Sequence, residues 1–251
     1  MQLTLNDLLN KEKNKTALIC GLGSSLNQYK PILSENADKT RICISCNEWD
    51  IKAPYLRVNY WVLSSTVNTI DQRHERFNNS GATIVYEEGL DYTPREKVKQ
   101  LLKVNYCPYD QRHYEGQCKT GQRPGGRNWC CDFNIPERLT IMQYLQKITG
   151  YEQFYKKTDS VALNMTTFAI LLGFNPISIL GVDLDYKIPY AAGSYSACMI
   201  KYNDNILLNY RKDIIESFEI INESAKKIDT TIYCGNRDSV LCKVFKYKKL
   251  T

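Results

Sequence analysis

Six short apolar runs, rich in β-branched residues and separated by stretches of helical periodicity, constrain this chain more than any other feature. "TALIC" (16–20), "RICISC" (41–46), "YWVLSS" (60–65), "ATIVYE" (82–87), "ISILGVD" (177–183) and "TTIYCG" (230–235) read as strands. Several are apolar on both faces, the pattern of strands covered by helices on each side of a parallel sheet. The helical stretches fall between them, at about 25–34, 68–79, 94–103, 136–148, 160–172 and 206–227. In the longest, Leu207, Tyr210, Ile214, Phe218, Ile221, Ala225 and Ile228 form one apolar stripe at three- to four-residue spacing. Such alternation predicts an α/β fold: a Rossmann-like, doubly wound, mostly parallel sheet with helices on both faces. At 251 residues the chain buries enough apolar surface without disulfides or a metal, and it reads as one domain spanning 1–251.

One segment breaks the pattern. Residues 104–134 hold few aliphatic side chains, many glycines and aromatics, and Arg112, Arg123 and Arg127. A stretch of that length without regular structure reads as an inserted loop or lid over the carboxyl edge of the sheet, and its aromatics argue against plain disorder. Cys107, Cys118, Cys130 and Cys131 are spaced C-x10-C-x11-C-C with His113 among them, which matches no standard zinc pattern, so no metal is expected. The arginines suit bidentate phosphate or carboxylate recognition if the segment folds over a site, and are solvated loop residues otherwise. His113 is the one histidine placed to act as an acid or base, because His74 lies in the charged helical stretch "DQRHERF".

The formal charge of +6, from 33 basic and 27 acidic residues, favours anionic ligands in general. No nucleic-acid-binding signature accompanies it. No apolar run approaches the roughly 18 residues of a membrane span. The polar breaks in "MQLTLNDLLNKEKNK" make it a short amphipathic helix, docked by Leu5, Leu8 and Leu9, rather than a secretory signal. A cytoplasmic location is the expectation.

Three stretches sit where a parallel sheet binds ligands, just beyond strand ends. In "CGLGSS", Gly21 and Gly23 permit close backbone approach, and Ser24 or Ser25 can cap a helix or donate to a phosphate. The stretch is neither G-x-G-x-x-G nor a Walker A loop, so the residues alone leave a plain turn and a phosphate seat both open. In "CISCNEWD", Asn47 follows the second strand, where its amide reads a sugar or base edge or merely makes a turn. In "TDSVALNMTTFAILLGFNPISILGVDLDY", Ser160 reads as a helix cap and Gly173 as the stop, and the next strand runs into Gly181, Asp183 and Asp185.

Together, "ALICGLGSSL", "CISCNEWD" and "ALNMTTFAILLGFNPISILGVDLDY", with the weaker "TTIYCGNRDS", resemble the bacterial sialyltransferases of glycosyltransferase family 42. They equally resemble the superfamily holding the motility accessory factor glycosyltransferases and the archaeal 6-hydroxymethylpterin diphosphokinases. The resemblance implies a nucleotide at the first glycine turn. Gly21, Gly23 and Ser25 would meet its phosphate or ribose, Asn47 the nucleotide or sugar, Ser160 the donor phosphate, and Asp183 the cytosine-ribose part or its equivalent. Tyr186, with Tyr190 or Tyr195, would match the tyrosines that help the phosphate leave. Two departures are visible: Ser24 stands where the family carries proline, and "NDNILLNYRKD" lacks the family's general-base histidine. Either His113, Tyr210 or Asp204 takes that proton, or the chemistry differs.

The resulting expectation is a transferase using a nucleotide or nucleotide-sugar donor and a small-molecule or glycan acceptor, sialyltransferase-like and needing no cofactor. The alternatives are Mg-dependent pyrophosphoryl transfer from ATP to a small hydroxymethyl substrate, with Asp183 and Asp185 holding the Mg, and a non-catalytic nucleotide-binding protein. A homo-oligomer is compatible with each.

Overall fold

The computed structural model describes residues 1–35, 41–63, 70–87, 95–109, 141–151, 160–185 and 204–250. Among the described residues there are eight strands: β1 (Thr16–Cys20), β2 (Arg41–Cys46), β3 (Tyr60–Leu63), β4 (Thr83–Glu87), β5 (Tyr106–Tyr109), β6 (Ile177–Leu180), β7 (Ile232–Cys234) and β8 (Lys246–Tyr247). They form one sheet in the order β5-β4-β3-β2-β1-β6-β7-β8. Every pairing is parallel, as the doubly apolar runs predicted. From β1 the chain winds outward through β5, then returns to lay β6 against the other side of β1 and continues to β8. The winding direction therefore reverses between β1 and β6, which is the switch point where open α/β sheets bind ligands.

Strand β5 falls inside the segment read from sequence as an insertion, so 104–134 begins with sheet rather than lid. Its Pro108 cannot donate to a ladder, and the strand lies at the sheet's edge, where proline is tolerated. The remainder of that segment lies outside the described residues.

The helices are α1 (Leu5–Leu8), α2 (Lys30–Glu35), α3 (Trp49–Lys52), α4 (Ile70–Ser80), α5 (Arg95–Leu101), α6 (Ile141–Thr149), α7 (Val161–Leu171) and α8 (Asp204–Lys227). The helix expected from about residue 25 opens instead as a 3-10 turn, Ser24–Tyr29, with the Lys30 amide bonding the Asn27 carbonyl. Pro31 has no N–H to extend an α pattern back to that carbonyl, so the α-helix starts only at Lys30, with Pro31 in its first turn, where proline is tolerated.

Two ring pairs fix which helices cover which face. Tyr60 packs edge-on against Phe168 of α7, with centroids 5.5 Å apart. Its neighbour Trp61 packs against Phe77 of α4 at 4.7 Å. Successive strand residues point to opposite faces, so α7 and α4 lie on opposite sides of the sheet. Helices α6 and α8 pack on α7, and α5 packs on α4.

Helix α7 is buried on every side from Ala162 to Leu171. It carries no charge, and its threonines turn their hydroxyls back to the preceding turn, Thr166 to Ala162 O at 2.8 Å and Thr167 to Leu163 O at 3.0 Å. Ser160 caps it by accepting from the Ala162 amide, and Gly173, at φ +81°, ends it. Its last carbonyls accept from Asn10 and Glu12, just upstream of β1. The C-terminus of α7 is thus at the amino edge of the sheet, and Ser160 is at the carboxyl edge with the glycine turn. At the amino edge the buried Glu12 carboxylate accepts from Tyr60 Oη and from Lys15 Nζ. Burial and that carboxylate push the Tyr60 hydroxyl far above the ordinary tyrosine range. No helix among the described residues is long and apolar enough to cross a membrane.

Candidate functional site

Two chain reversals interlock at the switch point. Beyond β1, the Gly21 amide donates to Leu180 O at 2.8 Å, and Gly23 donates to Gly181 O at 2.8 Å, so the first turn stays bonded to the end of β6. Gly181 adopts φ +63°, a left-handed conformation that glycine takes without strain. The backbones meet so closely that a Cβ on Gly21 would overlap the Gly181 carbonyl and lie 2.8 Å from Val182 Cγ2. A Cβ on Gly23 would lie 2.5 Å from Asp183 Oδ2.

That close approach brings Asp183 over the start of the 3-10 turn. Its Oδ2 accepts from the Ser25 amide at 3.0 Å, and its Oδ1 accepts from Ser25 Oγ. The residues expected to form a phosphate seat, Gly21, Gly23, Ser24 and Ser25, do sit in one corner with Asp183. The amide at the start of the turn is, however, already occupied by the chain's own carboxylate. A phosphate on that amide would meet Asp183 charge to charge. The corner as built offers fixed acceptor oxygens, which suit hydroxyl groups.

A third loop, after β7, braces the corner. Tyr29, ending the 3-10 turn, donates to Gly235 O at 2.7 Å, and Ser239 Oγ donates to Val182 O at 3.2 Å. Burial raises the Tyr29 hydroxyl above its ordinary range. These braces were missed in the sequence except as the faint "GNRDS" pattern, whose Ser239 caps the following turn.

Asn47 leaves β2 at the same edge in a left-handed conformation, φ +44°. Its amide donates to Val62 O at 3.1 Å, and its carbonyl accepts from Trp61 Nε1 at 2.8 Å. The turn is pinned by α4. Arg73 bonds Glu48 at 2.8 Å, Lys52 bonds Glu48 at 3.2 Å, and Arg76 bonds Asp50. Burial pushes the Glu48 carboxyl upward, but Lys52 and Arg73 outweigh it and hold the group below its usual range. Among the described residues, Trp49 Nε1, Asp50 Oδ1 and Arg73 Nη1 are buried here without a hydrogen-bond partner, so donors and an acceptor remain for water or a ligand. The sequence signal for this clamp is the i, i+3 spacing of Arg73 and Arg76.

Asp185 is half-buried and already engaged, as is Tyr210. His113, Tyr186, Tyr190, Tyr195, Cys118, Cys130 and Cys131 lie outside the described residues, as do Arg112, Arg123 and Arg127. Asp204 opens α8, with its side chain among those not described. Cys107 is buried in β5, where desolvation pushes its thiol up to about 12, an inert packing thiol. Among the described residues, no three His, Cys, Asp or Glu side chains gather as a metal-binding group.

No family model and no curated protein matches this sequence. Solved structures do. The monofunctional alpha-2,3-sialyltransferase Cst-I from Campylobacter jejuni matches at 15% identity and TM-score 0.51, over 95% of this chain and 83% of its own. The sialyltransferase CST-II in complex with trisaccharide acceptor and CMP matches at 14% identity and TM-score 0.51, over 93% of this chain and 86% of its own. The MAf glycosyltransferase from Magnetospirillum magneticum AMB-1 matches at 14% identity and TM-score 0.52, over 97% of this chain but only 35% of its own. At these identities the likeness shows a shared fold. Its structural neighbours thus include both glycosyltransferase groups that the sequence resembles.

Proposed function

We propose that the protein is a sialyltransferase-like glycosyltransferase that takes its sugar from a nucleotide-activated donor. The observation that carries this reading is the interlocked pair of glycine turns at the switch point, which hold the Ser25–Asp183 pair at the ligand edge. The neighbour with CMP and a trisaccharide acceptor bound supports the donor and acceptor classes.

In this reading, Asp183 is oriented by two Ser25 donors and uses its remaining lone pairs to accept from the hydroxyls of the nucleotide's ribose. Asn47 lines the nucleotide or sugar side of the same edge. The donor phosphate faces the start of α7, where the amides after Ser160 and the dipole of an 11-residue helix favour negative charge. When the bond from the sugar's anomeric carbon to the phosphate oxygen breaks, charge grows on the phosphate, and donors fixed around it stabilise that change. Tyr186 and Tyr195 are the candidates for that role, and His113 for taking the acceptor's proton. A metal is not required by this scheme, and a cytoplasmic location accompanies it.

Thermal-shift measurements with CMP, CDP, UDP, GDP and ATP, each with and without Mg²⁺, test the proposal, because a ligand of the folded state raises Tm by mass action. The expected result is stabilisation by a nucleoside monophosphate without metal. Asp183→Asn should weaken that binding about tenfold, equal to about 1.4 kcal/mol of lost charge-assisted hydrogen bonding. An absolute need for ATP and Mg²⁺ would point to pyrophosphoryl transfer instead. No response to any nucleotide refutes both.

A further inference from the structure

Beside the donor corner, the loop after β7 carries a pair of thiols that the proposed chemistry leaves unused. Cys234 ends β7, and Cys242 lies in the 3-10 turn Val240–Lys243. Both sulfurs donate to one acceptor, the Asn236 carbonyl, each at 3.1 Å. The neighbouring Cys242 thiol also helps to raise the Cys234 thiol above its ordinary range. Two sulfurs each 3.1 Å from one oxygen lie at most about 6 Å apart, and a disulfide needs them to close to about 2 Å with side-chain rotation.

The surroundings hold the pair in place. The Gly235 amide bonds Ile179 O at 2.8 Å, and Lys248 bonds Cys234 O at 3.0 Å, while Ser239 is tied to Val182. Among the described residues, accessibility separates this pair from the other thiols. Cys43 likewise helps to raise the Cys20 thiol, but both are buried in the sheet, and Cys46 and Cys107 are buried too. Cys242 is half-exposed and can meet a solute.

We propose that Cys234 and Cys242 form a reversible thiol–disulfide site, oxidised by a low-molecular-weight disulfide of the glutathione type. The Cys242 thiolate attacks one sulfur of that disulfide, forming a mixed disulfide and releasing one small thiol. Cys234 then attacks Cys242 Sγ. Its proton passes to the second small thiolate as that group leaves. Overall the two protein thiols lose two protons and two electrons, and one small disulfide becomes two small thiols. The order follows from burial, which pushes the Cys234 thiol up to about 12 and leaves it the resolving partner. Oxidation removes both S–H donors from the Asn236 carbonyl, in a residue only 6% exposed. The backbone that must readjust is the one bracing Val182 and Tyr29. The inference is independent of which donor the site binds.

The test is to incubate the full folded chain with oxidised glutathione and map its peptides without reduction. The expected product is about 2 Da lighter, carries a Cys234–Cys242 cross-link in most molecules, and reverts with dithiothreitol. Cys242→Ser should leave Cys234 a free thiol under the same treatment. Recovery of Cys242 as the thiol, as a stable glutathione adduct or joined to another cysteine overturns the proposal. So does a cross-link that forms only in denaturant.

Discussion

Replacing Gly21 by alanine tests the interlocked turns directly. The added Cβ would overlap the Gly181 carbonyl oxygen and lie 2.8 Å from both Gly181 C and Val182 Cγ2. Two of these are backbone atoms, so no rotamer change relieves them, and the β1 and β6 ends must part. Overpacking of this kind costs about 1–3 kcal/mol. Separation also strains the Gly21–Leu180 and Gly23–Gly181 hydrogen bonds, each worth about 1 kcal/mol. We expect a loss of about 3 kcal/mol, which for a chain of this size lowers Tm by roughly 6–12 °C. Gly81→Ala is the control. Gly81 has φ +68° but open space around it, so only the left-handed backbone penalty applies, about 1 kcal/mol. Urea denaturation at an unchanged m-value measures both. If Gly21→Ala unfolds no more readily than Gly81→Ala, the close packing of the two turns is not what requires glycine there.

Two further outcomes follow from buried and paired groups. Tyr60→Phe strips the buried Glu12 Oε1 of its hydroxyl donor and should cost about 1–3 kcal/mol in chemical denaturation, without changing a nucleotide-induced Tm shift measured from the new baseline. Glu48 has a folded pKa below its unfolded value. Its contribution is therefore present above the unfolded value of about 4.5 and lost as pH falls through the folded one. The stability gap between wild type and Glu48→Gln should accordingly shrink between about pH 6 and pH 3, as followed by denaturation at each pH.

The sheet was legible where burial on both faces left a compositional mark. All six apolar runs are strands, and the caps of α7, Ser160 and Gly173, stand where the sequence placed them. The misses have physical causes. Strand β5 reads "YCPY", whose proline argues against a strand unless the edge position is known. Strand β8 is two exposed residues with no apolar signal. In the candidate site, the individual residues were visible but their relations were not. Asp183 and Ser25 lie 158 residues apart in sequence, so nothing local announces that one occupies the amide of the other. The Arg73 and Arg76 clamp on the Asn47 turn is likewise a contact between elements: the i, i+3 spacing puts both arginines on one helix face but does not say what that face meets.

The placement of β6 against β1 also orders events in time. Residues 17–20 pair with 177–180. While the chain is being synthesised, β2 to β5 can join β1 as they emerge, but its other edge stays open until residue 180 is available. Chain emergence at about 5–20 residues per second makes that wait many seconds, long enough for an apolar edge to meet another nascent chain. A ribosome stalled between β5 and β6 would hold half a sheet with its central strand exposed, and the glycine turn would have nothing to lock against. The corner proposed to bind the donor therefore matures late, when the second half of the chain reaches the first.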